Sequence, residues 1–216
     1  NGIEGIINDH LINLRHIIMN EEDKDLLMKT PSTILGSCRY KLPSLEEDDL
    51  QYKTIVENLQ KHHIKVFFYI GGNDSMDTVM KLDAYLKREQ IDICVVGVPK
   101  TIDNDLMETD HTPGFGSAAK YVAISLQEII RDSRVYSIPS VTIVEIMGRD
   151  AGWLAASSCV LRANGEPAPH LIYLPESTFT LEQYIQDVKN AMTRYKAVII
   201  AVSEGVTFPD GGSEDQ

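Results

Sequence analysis

Two neighbouring segments of this chain share one pattern, an apolar run that leads into a polar loop: KVFFYIGGNDS (residues 65–75) and IDICVVGVPKTIDND (residues 91–105). The first run, Val66 to Ile70, is β-branched and aromatic, which is typical of a strand buried on both faces of a parallel sheet. The second run, Ile91 to Val98, predicts a neighbouring strand. Similar runs alternate with helical periods along the whole chain, which predicts an α/β fold with doubly wound, mostly parallel sheets.

The loop after the first run has the composition of a phosphate-binding turn. Gly71 and Gly72 permit a tight turn and a close approach of ligand to backbone. We expect Ser75 to cap a helix that begins at Met76. A strand, a glycine turn and a helix N-terminus together form a cradle for phosphate, although a glycine turn alone is more often only structural.

The loop after the second run contains two carboxylates and a cation. Asp103 and Asp105 point to opposite sides if the loop is extended, so one of them can accept a proton from a hydroxyl. Lys100 is a mobile cation suited to phosphate oxygens. Asp-Asn-Asp by itself is usually turn chemistry. Since both loops follow neighbouring strands, where α/β sheets bind ligands, the pair indicates a phosphoryl-transfer site.

Composition excludes several classes of function. The chain has 20 Lys and Arg against 32 Asp and Glu, a formal charge of -12, which argues against nucleic acid as a partner and favours a cytoplasmic protein. The three cysteines are far apart, which predicts neither a disulfide framework nor a cysteine metal site. No apolar run predicts a membrane span. A highly anionic substrate then needs local positive charge, for which Arg39, Lys100 and Arg149 are candidates.

The remaining elements follow from periodicity and capping signals. Residues 20–30 are polar and predict a loop, and residues 48–62 predict a helix. Another helix, capped by Asp110 or Thr112 with Pro113 in its first turn, should run to about Arg131. Further elements are predicted at 141–146 (strand), 153–161 (helix), 171–174 (strand), 181–195 (helix) and 197–202 (strand). The tail from Pro209 to Gln216 has the composition of a flexible loop.

Motifs along nearly the whole chain resemble those of the phosphofructokinase family. In chain order they are GSCR (36–39), GGNDS (71–75), PKTIDND (99–105), TDHTPGF (109–115), MGRDAGW (147–153) and SEG (203–205). The resemblance implies two Rossmann-like lobes, with a phosphoryl-donor lobe at residues 1–136 and the start of a sugar-phosphate lobe at residues 137–216. It also implies that segments of the family are missing from both ends of this chain.

The resemblance further implies a reaction, the transfer of a phosphoryl group to the C1 hydroxyl of fructose 6-phosphate, a step of glycolysis. Asp103 would be the general base, Thr101 would contact the transferred phosphoryl group or the sugar, and Asp105 would orient the loop or reach a metal. The implied donor-binding residues are Gly72, Asn73, Asp74, Ser75, Arg39 and Lys100. The implied sugar-binding residues are Thr101, Asp103, Met147, Gly148, Arg149 and Glu204. Mg²⁺ is the implied cofactor, and a dimer or tetramer of identical chains the implied assembly.

Two positions favour pyrophosphate over ATP as the phosphoryl donor. Asp74 and Lys100 stand where members of the family that use ATP usually have glycine. A carboxylate at position 74 would repel the α-phosphate of a nucleotide, while Lys100 can contact the compact charge of pyrophosphate. Asn73 departs from the usual metal-binding aspartate, so we expect the metal to depend on Asp74, on Asp103 or on the donor itself.

Three alternatives remain open from the sequence. The protein could be an ATP-dependent phosphofructokinase, or a relative of the NAD and lipid kinases, which share a similar glycine turn. The second alternative leaves the motifs at 147–149 and 203–205 without an explanation. A non-catalytic regulatory subunit is suggested by Asn73, but the retention of Asp103 argues against it.

Overall fold

A computed structural model describes residues 2–209, which form two compact units that divide between Pro99 and Lys100. The predicted tail beyond Pro209 lies outside the described residues. This division differs from the lobe boundary at 136/137 that the sequence predicts, and the assignment of the two lobes to donor and sugar phosphate stays a prediction. Within the described residues, no helix has the length and apolar character needed to cross a membrane.

The first unit is a two-stranded parallel sheet with helices packed on it. Its elements are α1 (Gly2–Ile7), a short 3-10 helix (Leu14–His16), α2 (Glu21–Lys29), α3 (Leu50–Lys61), β1 (Val66–Gly71), α4 (Asn73–Arg88) and β2 (Cys94–Pro99). Strands β1 and β2 pair in parallel, with Gly71 opposite Pro99. The two polar loops therefore leave the same edge of this sheet, as the sequence predicts.

Strand β1 has one buried and one exposed face, so the prediction that both faces are buried is wrong. The side chains of Tyr69 and, in part, Phe67 pack into a core with residues of α1, α3 and α4. Val66, Phe68 and Ile70 alternate with them and are 49%, 61% and 60% exposed. A continuous apolar run hides this alternation from a sequence reading, because both faces carry the same residue types.

Two other local predictions in the first unit are wrong. Residues 21–29, predicted as loop, form α2, which begins with a capping box in which Asn20 and Asp23 each accept a bond from the other's backbone N–H. Helix α4 begins at Asn73 with Gly72 as its N-cap, rather than at Met76 with Ser75 as cap. The backbone N–H groups of Ser75 and Met76 both donate to the Gly72 carbonyl at 3.0 Å, so both residues are already helical.

The second unit contains a three-stranded parallel sheet in the order β3-β5-β4. Its elements are α5 (Phe115–Ser133), β3 (Ser140–Ile146), α6 (Trp153–Ser157), α7 (Val160–Ala163), β4 (Leu171–Tyr173), α8 (Leu181–Met192) and β5 (Ala197–Ser203). Strand β5 is central and almost entirely buried. The predicted helix at 153–161 is thus two short helices, and the other predicted elements of this unit are found within a few residues of their expected ends.

The start of α5 corrects the predicted cap. Gly114, with a φ of 105°, is the N-cap, and neither Asp110 nor Thr112 caps the helix with its side chain. The Thr112 hydroxyl instead donates to the Thr101 carbonyl at 2.7 Å. Both sheets are parallel and both are flanked by helices, so the predicted α/β class is confirmed.

Candidate functional site

The glycine turn of the first unit presents the N-terminus of a long helix. Strand β1 ends at Gly71, and Gly72 leads directly into α4, which is 16 residues long and has no side-chain cap. The N–H groups of Asn73 and Asp74 therefore begin the helix without a partner from a capping side chain, where the helix dipole favours an anion. A Cβ atom on Gly71 would lie 2.0 Å from Ser75 Oγ and 2.4 Å from Ser75 Cβ, so a larger residue here would require Ser75 to shift.

Tyr69 links this turn to the loop that carries Arg39. Its hydroxyl accepts a hydrogen bond from the Ile3 N–H at 3.2 Å, and the side chains of Cys38 and Ser75 adjoin it. Burial raises the pKa of the Tyr69 hydroxyl, so Tyr69 stays neutral and can hold these contacts over the physiological pH range. The sequence reading placed Tyr69 in a strand but missed this role, for which no local motif exists.

The charged residues predicted to contact the donor are exposed. Arg39, Asn73, Asp74 and Lys100 are all on the surface. No ion pair is recorded for Arg39, Asp74 or Lys100 within residues 2–209. Their charges are therefore available to a ligand in the part of the chain that the structure describes.

The loop that follows Lys100 in the second unit is held by hydrogen bonds. The Asp103 N–H donates to Thr101 Oγ1 at 3.1 Å, and Thr101 forms an isolated parallel bridge with Gly114 at the start of α5. Asp103 is 8% exposed, whereas Asp105 is exposed on the surface. The two carboxylates thus have different environments, in keeping with the predicted difference in their roles.

Arg149 lies next to the predicted base. Its Nε atom is 3.6 Å from Asp103 Oδ2, with the Arg149 side chain 67% exposed and that of Asp103 11% exposed. The sequence assigned Arg149 to the sugar phosphate and did not predict this pairing. The Arg149 guanidinium is mostly exposed and can still reach a phosphate oxygen.

Glu204 holds the turn that carries Arg149. Its Oε1 atom accepts from the backbone N–H groups of Gly148 at 2.8 Å and Arg149 at 2.7 Å, and these bonds lower the pKa of Glu204. Its own N–H donates to the Ile146 carbonyl at 2.9 Å. A Cβ atom on Gly205 would lie 2.0 Å from the Arg149 carbonyl oxygen. The SEG motif is therefore packed against the turn of the MGR motif.

The predicted residues fall into two groups, one in each unit. The first unit contains Arg39, Gly72, Asn73, Asp74 and Ser75. The second unit contains Lys100, Thr101, Asp103, Asp105, Met147, Gly148, Arg149 and Glu204. The second group brings Asp103, Arg149 and Glu204 together, while Met147 is 56% exposed. Asn104 and Thr112, which bond to each other in the same loop, were not among the predicted site residues. The only available signal was an asparagine between two aspartates, which is common in turns.

Comparison with known proteins identifies the family of this chain. A family model described as Phosphofructokinase matches residues 1–215. This chain belongs to the phosphofructokinase family. The family membership predicted from the motifs is therefore confirmed.

Within this family the chain is similar to proteins named for a pyrophosphate reaction. It is 40% identical over 213 residues to the pyrophosphate--fructose 6-phosphate 1-phosphotransferase of Xanthomonas campestris, covering 98% of this chain and 50% of that protein. The protein of the same name from Rhodospirillum rubrum is 40% identical over 211 residues, covering 97% of this chain and 50% of that protein. The chain thus spans about half the length of the curated phosphofructokinases that it matches.

A solved structure of a similar protein has the same fold as this chain. The crystal structure of the pyrophosphate-dependent phosphofructokinase from Marinobacter aquaeolei matches with a TM-score of 0.81 and 38% identity, over 96% of this chain and 51% of that one. The phosphofructokinase fold is thereby confirmed for the segment that this chain covers.

Proposed function

We propose that the protein transfers a phosphoryl group from pyrophosphate to the C1 hydroxyl of fructose 6-phosphate, giving fructose 1,6-bisphosphate and phosphate. The observation that carries this proposal is the Asp103 carboxylate, nearly buried, paired with Arg149 and placed three residues after Lys100. The names of the similar phosphofructokinases support the same reaction.

In this reaction Asp103 accepts the proton of the attacking C1 hydroxyl. The hydroxyl oxygen then forms a bond to the transferred phosphorus atom while the bond to the bridging oxygen of pyrophosphate breaks, and phosphate leaves. Such transfers depend on positioning and on stabilising charge. Lys100 contributes positive charge to the phosphoryl oxygens, Thr101 contacts the transferred group, and Asp105 orients the loop.

The donor binds, in this proposal, at the start of α4. The N–H groups at the helix N-terminus and the Arg39 guanidinium contact the phosphate oxygens, with Gly72 and Ser75 shaping the turn. Asp74 disfavours a nucleotide, because its carboxylate would face an additional phosphate. Two unit charges about 4 Å apart repel by about 4 kcal/mol at an effective dielectric constant of about 20.

Mg²⁺ is the proposed cofactor. Within residues 2–209 no three His, Cys, Asp or Glu side chains are grouped to hold a metal, but Mg²⁺ in phosphoryl-transfer sites is commonly held by one or two carboxylates and by substrate phosphates. The exposed Asp74 carboxylate and Asn73 amide fit that donor set. When bound, the ion would neutralise the charge on the pyrophosphate oxygens.

The sugar phosphate is proposed to bind at the turn that follows β3. Met147, Gly148 and Arg149 line this site, and the Arg149 guanidinium contributes positive charge. Glu204 Oε1 already accepts two backbone N–H groups. A sugar hydroxyl would therefore donate to Oε2, to which no donor hydrogen-bonds within residues 2–209.

The remaining parts of the proposal concern the whole protein. We place the donor lobe at residues 1–136 and the sugar-phosphate lobe from residue 137 onward. We propose a cytoplasmic enzyme of glycolysis that assembles from identical chains as a dimer or tetramer, without nucleic-acid or membrane partners. The charge of -12 and the three cysteines, none of which forms a disulfide within residues 2–209, support this location.

A two-way assay of the intact protein tests the reaction. We expect fructose 1,6-bisphosphate to form from fructose 6-phosphate and pyrophosphate, and pyrophosphate to form when fructose 1,6-bisphosphate and phosphate are supplied. Absence of turnover in both directions, for protein shown to be folded, would instead favour the non-catalytic subunit.

A further inference from the structure

Asn104 has an unusual backbone conformation between the two carboxylates of the loop. Its φ is 60°, in the left-handed region that most residues avoid and that asparagine tolerates better than other residues with a side chain. The residue is 7% exposed. A buried residue held in this conformation requires contacts that maintain it.

Both ends of the Asn104 amide supply such contacts. Oδ1 accepts from the Thr112 N–H at 2.9 Å, and Nδ2 donates to the Asp110 carbonyl at 3.1 Å. The Thr112 hydroxyl in turn donates to the Thr101 carbonyl at 2.7 Å. The amide therefore joins residues 110–112 to the loop that contains Asp103, and we call these three bonds the amide clasp.

Asp103 and Asp105, on either side of Asn104, lie in different environments. The amide clasp holds the left-handed Asn104 backbone between them, with Asp103 nearly buried and next to Arg149 and Asp105 exposed. The Asp103 N–H bond to Thr101 Oγ1 adds a second restraint on the same loop. The Asp103 carboxylate is thus held by contacts that involve no substrate.

We propose that Asn104 is a positioning residue for the phosphoryl transfer. Its amide clasp fixes the Asp103 carboxylate in the direction from which it accepts the proton of the C1 hydroxyl, so a displaced carboxylate lowers turnover without weakening substrate binding. This inference rests on the proposed function, in which Asp103 is the base. An asparagine that served only the stability of the loop would affect the melting temperature and leave turnover unchanged.

The test replaces Asn104 with glycine in the intact protein. Glycine adopts a φ of 60° without strain, so Asn104→Gly removes the amide and keeps the conformation accessible. We expect kcat with pyrophosphate to fall by about 10- to 100-fold, the scale expected for a misplaced catalytic group, while the KM values of both substrates change less than about threefold. Asn104→Asp, which loses the donor to the Asp110 carbonyl, should lower kcat in the same direction.

Asn58→Ala is the matched control. The Asn58 amide also bonds backbone carbonyls, those of Ile6 at 2.8 Å and Ile7 at 3.2 Å, far from the Asp103 loop in sequence and within the first unit. The Asn58→Ala variant should have a lower melting temperature than wild type. Its kcat, measured well below that temperature, should equal that of wild type.

The outcomes distinguish the positioning role of Asn104 from the proposed function itself. If wild type turns over and Asp103→Asn does not, but both Asn104 variants keep kcat within about threefold of wild type, the role of Asn104 is overturned and the proposed function stands. The same conclusion follows if only the KM values change, or if neither Asn104 variant folds. If wild type shows no turnover, or Asp103→Asn is fully active, the proposed function itself fails and the role of Asn104 fails with it.

Discussion

Arg149 Nε lies 3.6 Å from Asp103 Oδ2, although Arg149 follows β3 and Asp103 precedes α5. The distance allows an ion pair but not a short hydrogen bond. Because the Arg149 side chain is mostly exposed, it can turn toward a phosphate oxygen while its charge remains near the carboxylate. This relationship connects the predicted base with the predicted sugar-phosphate site.

Removal of the Arg149 guanidinium should weaken binding of the sugar phosphate. We expect Arg149→Ala to raise the KM for fructose 6-phosphate by an amount equivalent to about 1.5–3 kcal/mol, the range for a charge-assisted hydrogen bond. Steady-state kinetics with each substrate varied in turn measure this. A change confined to the donor KM would assign Arg149 to the donor instead.

Neutralisation of the base should abolish most turnover. Asp103→Asn keeps the size of the side chain but cannot accept the hydroxyl proton, so kcat should fall by about 10²- to 10⁴-fold. Circular dichroism should show an unchanged fold. Asp92→Asn, an aspartate 97% exposed in its side chain, is the control and should keep wild-type kcat. Near-normal turnover of Asp103→Asn would remove Asp103 from the mechanism.

The close packing of Gly205 on the turn of Arg149 predicts a sensitive position. Gly205→Ala places a methyl group where the Arg149 carbonyl lies, so the turn must shift, and both stability and activity should fall. The control is Gly116→Ala within α5, where a Cβ meets nothing within 4 Å. Gly116→Ala should raise the free energy of unfolding by about 0.4–1 kcal/mol, because alanine restricts the unfolded chain. Equal effects of the two substitutions would contradict the packing.

The partly buried side chain of His170 should make the stability of the protein depend on pH. Burial lowers the pKa of His170 below its ordinary 6.5, and Arg162 and Arg134 act in the same direction. The unfolded chain therefore takes up a proton at a higher pH than the folded chain, and stability is lost as pH falls through 6.5 toward the folded value. His Nδ1 accepts from the Ile199 N–H at 2.9 Å, a bond that Asn can replace.

Thermal unfolding of wild type and His170→Asn from pH 8 to pH 5 measures this effect. Below about pH 6.5 the free energy of unfolding of wild type should decrease relative to that of the variant. At higher pH the difference between the two free energies of unfolding should be constant. If the difference between the two free energies of unfolding were the same from pH 8 to pH 5, His170 would have the same pKa in the folded and unfolded chains.

Most of the fold could be predicted because most helices and strands are indicated by the residues of their own segment. The apolar runs of β1, β3 and β5 and the helical periods of α3, α4 and α8 each give a signal within about ten residues. Helix α2 was missed because it is polar, with no buried residue, and its only signal was the spacing of Asn20 and Asp23. The exposed face of β1 was missed because burial depends on which elements pack on the sheet.

The sequence named candidate site residues but gave no indication of their contacts. The motifs identified Asp103, Arg149 and Glu204 through resemblance, whereas the Arg149–Asp103 pair depends on the turn at Gly148 and on the loop at Asn104. Tyr69 and Asn104 act through bonds to residues distant in sequence or through a left-handed backbone. Neither property is visible in the spacing of residue types.

The phosphoryl donor is the central claim, and a comparison of pyrophosphate and ATP in steady-state assays of the intact protein tests it most directly. Wild type should use pyrophosphate and show little activity with ATP. Asp74→Gly combined with Lys100→Gly should gain ATP use, because the repelling carboxylate is gone, and should lose pyrophosphate use, because the cation is gone. Efficient use of ATP by wild type, with no turnover of pyrophosphate, would contradict the account.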